Sequence, residues 1–160
     1  MNILLTGSNG QLGKTIIETK PSNIFNDNIN LICTNKNNFD LKNPNSCKSK
    51  IININPDWVI NAGAYTKVDL AEKENDLALL VNSESPKMIA EGLLETKGKM
   101  IQISTDYVFN GSIEKPYKLN DKRDPIGIYG RSKALGEEAI ESLLFPQNKG
   151  TILRTSWLMS

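Results

Sequence analysis

Short apolar runs alternate with longer amphipathic stretches along this chain, the pattern of a parallel α/β sheet. Asn2 to Thr6 reads as a short buried strand, and Gln11 to Lys20 as the helix that follows it. Asn30 to Thr34 predicts a second strand, and Pro44 to Asn53 a short helix carrying Ile51 and Ile52. Trp58 to Ala62 predicts a third strand, led by the turn pair Pro56-Asp57. From Asp76 to Lys97 the apolar positions Leu80, Ile89, Leu93 and Leu94 fall on one helical stripe. Pro86 lies inside that stretch and cannot donate to the helix ladder, so a kink is expected, or a restart with Ser85 as cap. Lys99 to Ser104 is a fourth strand, residues 110–127 a loop punctuated by Gly111, Pro116, Pro125 and Gly127, and Thr151 to Thr155 a fifth strand. Between the last two elements, Tyr129 to Phe145 is a helix with Leu135, Ala139 and Leu143 on its expected core stripe.

This order predicts an α/β fold with a doubly wound parallel sheet of Rossmann type. Residues 1–160 read as one NAD(P)-binding domain. A doubly wound sheet usually continues past a fifth strand, so the chain is expected to be a fragment, truncated before a carboxy-terminal substrate domain.

Composition narrows the chemistry. The chain has 160 residues, with 19 basic and 18 acidic side chains and a net charge of +1, which leaves no electrostatic footprint for nucleic acid or an anionic membrane. There is no histidine, which removes Ser-His-Asp and Cys-His nucleophilic chemistry and His-ligated zinc. Cys33 and Cys47 lack C-x-x-C spacing, so no metal site is signalled and both thiols are expected to stay reduced. The apolar start is interrupted by Gly7, Asn9 and Gln11, too early for a signal peptide or a membrane span, so the expected location is the cytoplasm.

Five segments carry candidate chemistry. Gly7, Gly10 and Gly13 form G-x-x-G-x-x-G between the first strand and the first helix. Such glycines allow a tight turn and a close backbone approach to a pyrophosphate at a helix N-terminus. After the second strand no carboxylate stands where a ribose would be held. Asn35 could bond a ribose hydroxyl and Lys36 a 2′-phosphate, which leans towards NADPH over NADH; an ordinary polar turn is the other reading. Gly63 and Ala64, at the end of the third strand, leave room for a ligand, or serve close packing. Thr105 could orient a substrate carbonyl, Asp106 bind a sugar hydroxyl, and Tyr107 and Phe109 wall a pocket; a turn cap and core aromatics are the alternative. Finally, Tyr129 and Lys133 lie four apart on one helix face, where the ammonium would lower the phenol's pKa and fit it to protonate a carbonyl under reduction.

Taken together, the three glycines, Asn61-Ala-Gly-Ala64, Ser104-Thr-Asp-Tyr-Val-Phe109, Tyr129-x-x-x-Lys133 with Gly136-Glu137, and Arg154-Thr-Ser-Trp157 resemble the extended short-chain dehydrogenase/reductase family. Within it, the chain is similar to the reductases that act on dTDP-4-dehydrorhamnose. The resemblance covers the amino-terminal half of such enzymes. It implies reduction of dTDP-4-dehydro-β-L-rhamnose to dTDP-β-L-rhamnose by hydride transfer from NADPH or NADH, in a pathway to dTDP-rhamnose and cell-surface polysaccharide. It implies Tyr129 as general acid, Lys133 on the nicotinamide ribose and Thr105 on the C4 carbonyl. Gly10, Gln11 and Leu12 would touch the pyrophosphate, Asp40 and Leu41 lie near the adenine, and Gly63, Ala64 and Tyr65 near the rest of the cofactor. Val68, Asp106, Tyr107 and Trp157 would face the deoxysugar. Two other readings stay open: a non-catalytic NADP-binding regulatory subunit, and a reductase of another nucleotide-linked keto sugar. A homodimer is also left open.

Overall fold

The computed structural model describes residues 1–24, 27–156 and 158. In chain order the elements are β1 (Asn2–Thr6), α1 (Gln11–Thr19), the two-residue strands β2 (Asn23–Ile24) and β3 (Asp27–Asn28), β4 (Asn30–Cys33) and α2 (Pro44–Ile54). Then come β5 (Trp58–Asn61), α3 (Val68–Ala71), α4 (Asn75–Leu79), α5 (Ser85–Leu94), β6 (Lys99–Thr105), α6 (Ile128–Leu144) and β7 (Gly150–Thr155). β2 and β3 pair with each other; the other strands form a parallel sheet in the order β4-β1-β5-β6-β7. The chain steps from β1 outward to β4, then returns to β5 on the other side of β1. That reversal opens a crevice beyond the carboxyl ends of β1 and β5, where ligands of doubly wound sheets bind.

In-register residues Leu4, Val59 and Met100 are fully buried on the sheet face that also packs Ile51 of α2, Ile89 and Leu93 of α5, and Ile140 and Leu144 of α6. Each of these side chains gains about 1.5–3 kcal/mol by leaving water. Strand side chains repeat every two residues. Two positions further along this same face, the row becomes Thr6, Asn61 and Gln102, all buried and all polar. The apolar sheet therefore ends in a polar row directly below the crevice.

α5 begins one residue before Pro86, but Ser85 does not cap it. Leu80–Glu84 forms one π turn joining α4 to α5, with Glu84 and Ser85 both in helical conformation. Proline has no N–H to give the carbonyl four residues back, and a widened turn absorbs that mismatch. The Ser85 hydroxyl instead donates to the Leu41 carbonyl, tying α5 to the loop before α2. α6 also packs tightly on the π turn: a Cβ at Gly136 would lie 2.2 Å from the Asn82 carbonyl oxygen.

The core stripe of α6 is turned by one position from the expected one. Lys133, Ala134, Glu137, Ile140 and Leu144 are buried, whereas Leu135, Ala139 and Leu143 are half-buried at the flank. Hydrophobicity misplaces the face because two charged residues occupy it, each with partners in the interior. Gly136→Ala is expected to destabilise the fold by about 1–3 kcal/mol, through overpacking against the π turn; an unchanged urea midpoint would contradict the close approach.

Candidate active site

Gly7 ends β1 at φ +67°, a conformation that suits glycine. A Cβ there would lie 2.7 Å from both the N and Cα of Gly63, so the turns after β1 and β5 touch backbone to backbone. Gly10 donates its N–H to the Gly7 carbonyl at 2.9 Å and opens α1 with no side-chain cap. The first amides of α1 are thus left for an anion, at the positive end of the helix dipole. Gly13 lies beneath the loop rather than on the crevice wall: its Cβ would meet the Gly7 oxygen at 2.3 Å, so its role is to let helix and strand pack closely.

The crevice has a volume of about 940 Å³. Its lining brings together Gly7, Gly10, Gln11, Leu12, Asn35, Asp40, Leu41, Gly63, Ala64, Tyr65, Thr105, Tyr129 and Lys133. Those thirteen positions come from five separate parts of the sequence. Lys36 stands exposed at the rim. The Asn35 side-chain oxygen is spent inside its own turn, accepting from the Asn37 N–H at 2.9 Å, so of that amide only the NH₂ remains for a ribose hydroxyl. Asp106 and Tyr107 are not part of this lining but stand next to it: Thr105 Oγ1 donates to Asp106 Oδ1 at 3.1 Å, and the Tyr107 ring meets Tyr129 edge-on at 5.5 Å. Val68, in α3, is not on the crevice wall. Trp157 lies outside the described residues.

Below the crevice runs a chain of buried hydrogen bonds that composition did not reveal. Thr6 Oγ1 donates to Asn61 Oδ1 (2.6 Å) and accepts from the Gly63 N–H (3.0 Å). Asn61 Nδ2 donates to Gln102 Oε1 (2.8 Å), and Gln102 Nε2 to the Ile103 carbonyl (2.9 Å). The same carbonyl accepts from Lys133 Nζ at 2.6 Å. Asn82, on the π turn, reads both backbone groups of Tyr65: its oxygen accepts from the Tyr65 N–H and its NH₂ donates to the Tyr65 carbonyl. That NH₂ also reaches Ser132 Oγ at 3.0 Å, and Ser132 donates in turn to the Tyr129 carbonyl. The loop after β5 is thereby fastened to the helix that carries Tyr129. The signal for Asn82 was a polar residue inside an apolar helical stretch; register across β1, β5 and β6 is invisible in one dimension.

The start of α6 is capped from a distance. Gly127 has no side chain to cap with, and the Ile128 N–H donates to Glu72 Oε1 at 2.8 Å. Tyr129 follows directly. The nearby Thr105 side chain favours the ionised form of its phenol. Burial is the larger effect and, with the charge of Asp106, holds the phenol above its ordinary value. The expected depression by Lys133 does not occur, because that ammonium is directed at the Ile103 carbonyl. Lys133 is itself pushed down to about 8 by burial, against the opposing pull of Glu137. Tyr65, whose hydroxyl donates to Glu74 Oε2 at 2.7 Å, is pushed up to about 12.

This geometry fits a dinucleotide. The turns after β1 and β5 leave no room for a Cβ at Gly7, Gln11 and Leu12 at the uncapped start of α1 line the crevice, and Ser104 Oγ, in a residue of the crevice wall, is a buried polar atom without a partner among the described residues. All 160 residues match the model of the family described as the RmlD substrate binding domain. The chain belongs to that family. Among curated proteins it is similar to the dTDP-4-dehydrorhamnose reductase of Sinorhizobium fredii, at 36% identity over 100% of this chain and 51% of the relative. The dTDP-4-dehydrorhamnose reductase of Salmonella typhimurium is also 36% identical, over 99% of this chain and 52% of the relative. A crystal structure of a dTDP-4-dehydrorhamnose reductase from Clostridium acetobutylicum superposes with a TM-score of 0.90 at 35% identity, over 100% of this chain and 55% of that one. One from Bacillus anthracis, in complex with NADP, gives a TM-score of 0.88 at 37% identity, over 99% and 54%. The chain spans about half the length of the relatives it matches. Among the described residues no helix is long and apolar enough to cross a membrane.

Between about pH 8 and the ordinary lysine value of 10.5, an unfolded Lys133 binds a proton that the folded protein has released. The folded state should therefore gain stability as pH rises through that window, the penalty of burial being fully present below it. The gain should vanish in Lys133→Met. Urea midpoints of the two proteins across this range check it, and parallel curves would contradict it.

Proposed function

We propose that this chain supplies the cofactor-binding and proton-donating part of a nucleotide-sugar ketoreductase, one that converts dTDP-4-dehydro-β-L-rhamnose to dTDP-β-L-rhamnose. The observation that carries this reading is the meeting of the Thr105 hydroxyl and the Tyr129 phenol at one end of the glycine-loop crevice. The similarity to reductases named for this substrate supports it.

The residues divide the work by position. The amides of Gln11 and Leu12 hold the pyrophosphate; Asp40 and Leu41 border the adenine end, and Gly63, Ala64 and Tyr65 the middle of the crevice. When bound, reduced nicotinamide supplies the hydride that adds to C4 of the sugar. Thr105 turns its hydroxyl from Asp106 to donate a hydrogen bond to the C4 oxygen, and Tyr129 delivers its proton there as negative charge develops. A phenol held above its ordinary value stays protonated at neutral pH, which suits a donor. The phenolate is then re-protonated from water. Lys133, bridged to the Ile103 carbonyl, presents its remaining N–H groups to the nicotinamide ribose. Asp106, Tyr107 and Trp157 are assigned to the sugar, and Val68 to a part of it that extends past the crevice wall.

Exposed Lys36 at the rim, with Asn35 rather than a carboxylate just before it, favours a 2′-phosphate and so NADPH. Replacing it by alanine should weaken NADPH binding about tenfold, the low end for a charge-assisted bond, and leave NADH binding nearly unchanged. Equal losses for both cofactors, read by fluorescence titration, would remove the assignment. Tyr129→Phe should lower kcat by ~10²–10⁴-fold in a stopped assay of NADPH oxidation by the keto sugar, with cofactor affinity retained. Turnover at the parent rate would exclude the phenol as the proton donor.

A further inference from the structure

Glu137 lies on α6 one turn past Lys133, and its carboxylate is fully buried. Two guanidiniums reach it. Arg154, on β7, donates from Nε at 2.9 Å and from Nη2 at 2.6 Å; Arg123, in the segment between β6 and α6, donates from Nη1 at 3.0 Å. Arg123 also forks onto Glu141 with bonds of 2.8 and 2.6 Å. The Arg154 side chain continues to the same segment: Nη1 donates to the Leu119 carbonyl at 3.1 Å, and the guanidinium stacks 5.1 Å from the Phe109 ring centre.

Burial holds that segment poorly. Val108, Phe109 and Tyr117 form a small apolar cluster with Ala134, but Leu119 and Ile126 are 87% and 84% exposed. Charge must therefore do what packing does elsewhere. A buried ion pair contributes little stability relative to apolar packing, yet it tolerates only one geometry. The held segment begins with Asp106 and Tyr107, immediately after Thr105. The Tyr107 carbonyl abuts α6 so closely that a Cβ at Gly130 would lie 2.1 Å away.

We propose that Glu137, clamped by Arg123 and Arg154, is a positioning residue: it fixes the 106–127 segment as the substrate-side wall and so sets affinity for the nucleotide sugar. The proposal rests on the ketoreductase reading for the identity of the ligand, and on the geometry alone for the clamp. Glu137 acts through other groups and touches no reacting atom. Its negative charge also holds buried Lys133 closer to its charged form.

Arg123→Ala is the informative variant, because Glu137 keeps Arg154 and no buried carboxylate is left unpaired. Amide exchange in residues 110–127 should speed up about tenfold or more, while β1, β5 and β6 keep their protection. KM for the keto sugar should rise about tenfold with kcat within about threefold, the pattern of lost uniform binding. The Kd for NADPH should stay within about twofold, as expected for a distant independent site. Arg123→Lys, lacking the fork, should recover only part of the KM. Unchanged exchange in 110–127, or sugar KM and cofactor Kd worsening together, would overturn the proposal. Should the parent protein neither turn over the keto sugar nor bind NADPH, the ketoreductase reading fails. Exchange and calorimetric binding of dTDP alone then decide the clamp: faster exchange with weaker dTDP binding in Arg123→Ala supports it, and no change in either refutes it.

Discussion

The site depends on where one buried ammonium points. Lys133 is surrounded by protein and gives Nζ to the Ile103 carbonyl, which also accepts from Gln102. Through Gln102, Asn61 and Thr6 that carbonyl is joined to the Gly63 N–H. A charge taken out of water is costly unless its hydrogen bonds are satisfied. Here one N–H of the ammonium meets the Ile103 carbonyl of β6, and the polar row across β1, β5 and β6 supports that carbonyl only when the three strands hold their register. The cofactor cradle and the helix bearing Tyr129 are thereby set relative to each other by bonds that must all form together.

The same economy shapes the backbone. The turns after β1 and β5 approach so closely that neither Gly7 nor Gly63 has room for a side chain. The crevice floor is therefore peptide, and a bound pyrophosphate would meet N–H groups rather than side chains. On the opposite side of Lys133, α6 is held at its start by Glu72, in the middle by Asn82 through Ser132, and further along by Arg123 and Arg154 on Glu137. Each tie comes from a different stretch of chain. This explains why the buried stripe of α6 carries a lysine and a glutamate where an amphipathic helix would place leucine.

Much of the fold was legible in one dimension. All five strands of the main sheet, the glycine turn and the long helices follow from apolar runs of strand length, helical spacing and punctuation by glycine and proline, and the structure moves most of their ends by only one or two residues. Local propensity and burial agree there, so pattern is enough. The failures share one cause. At Pro86 a π turn replaces the expected break, on α6 the core face rotates by a position, and the Tyr129 phenol moves up rather than down. In each case tertiary structure outweighs the local signal: α6 packing at Asn82, paired charges at Glu137, burial at Tyr129.

The order of residues was sufficient to single out the candidate groups: three glycines in a turn, a hydroxyl at a strand end, a phenol and an amine one helical turn apart. These are short-range patterns, and short-range sterics and hydrogen bonding make them readable. Which way those groups face, what each is bonded to, and that Thr6, Asn61 and Gln102 share one row were decided by strand register and helix packing. Such facts arise from contacts between residues some forty to sixty positions apart, and no spacing along a single chain encodes them.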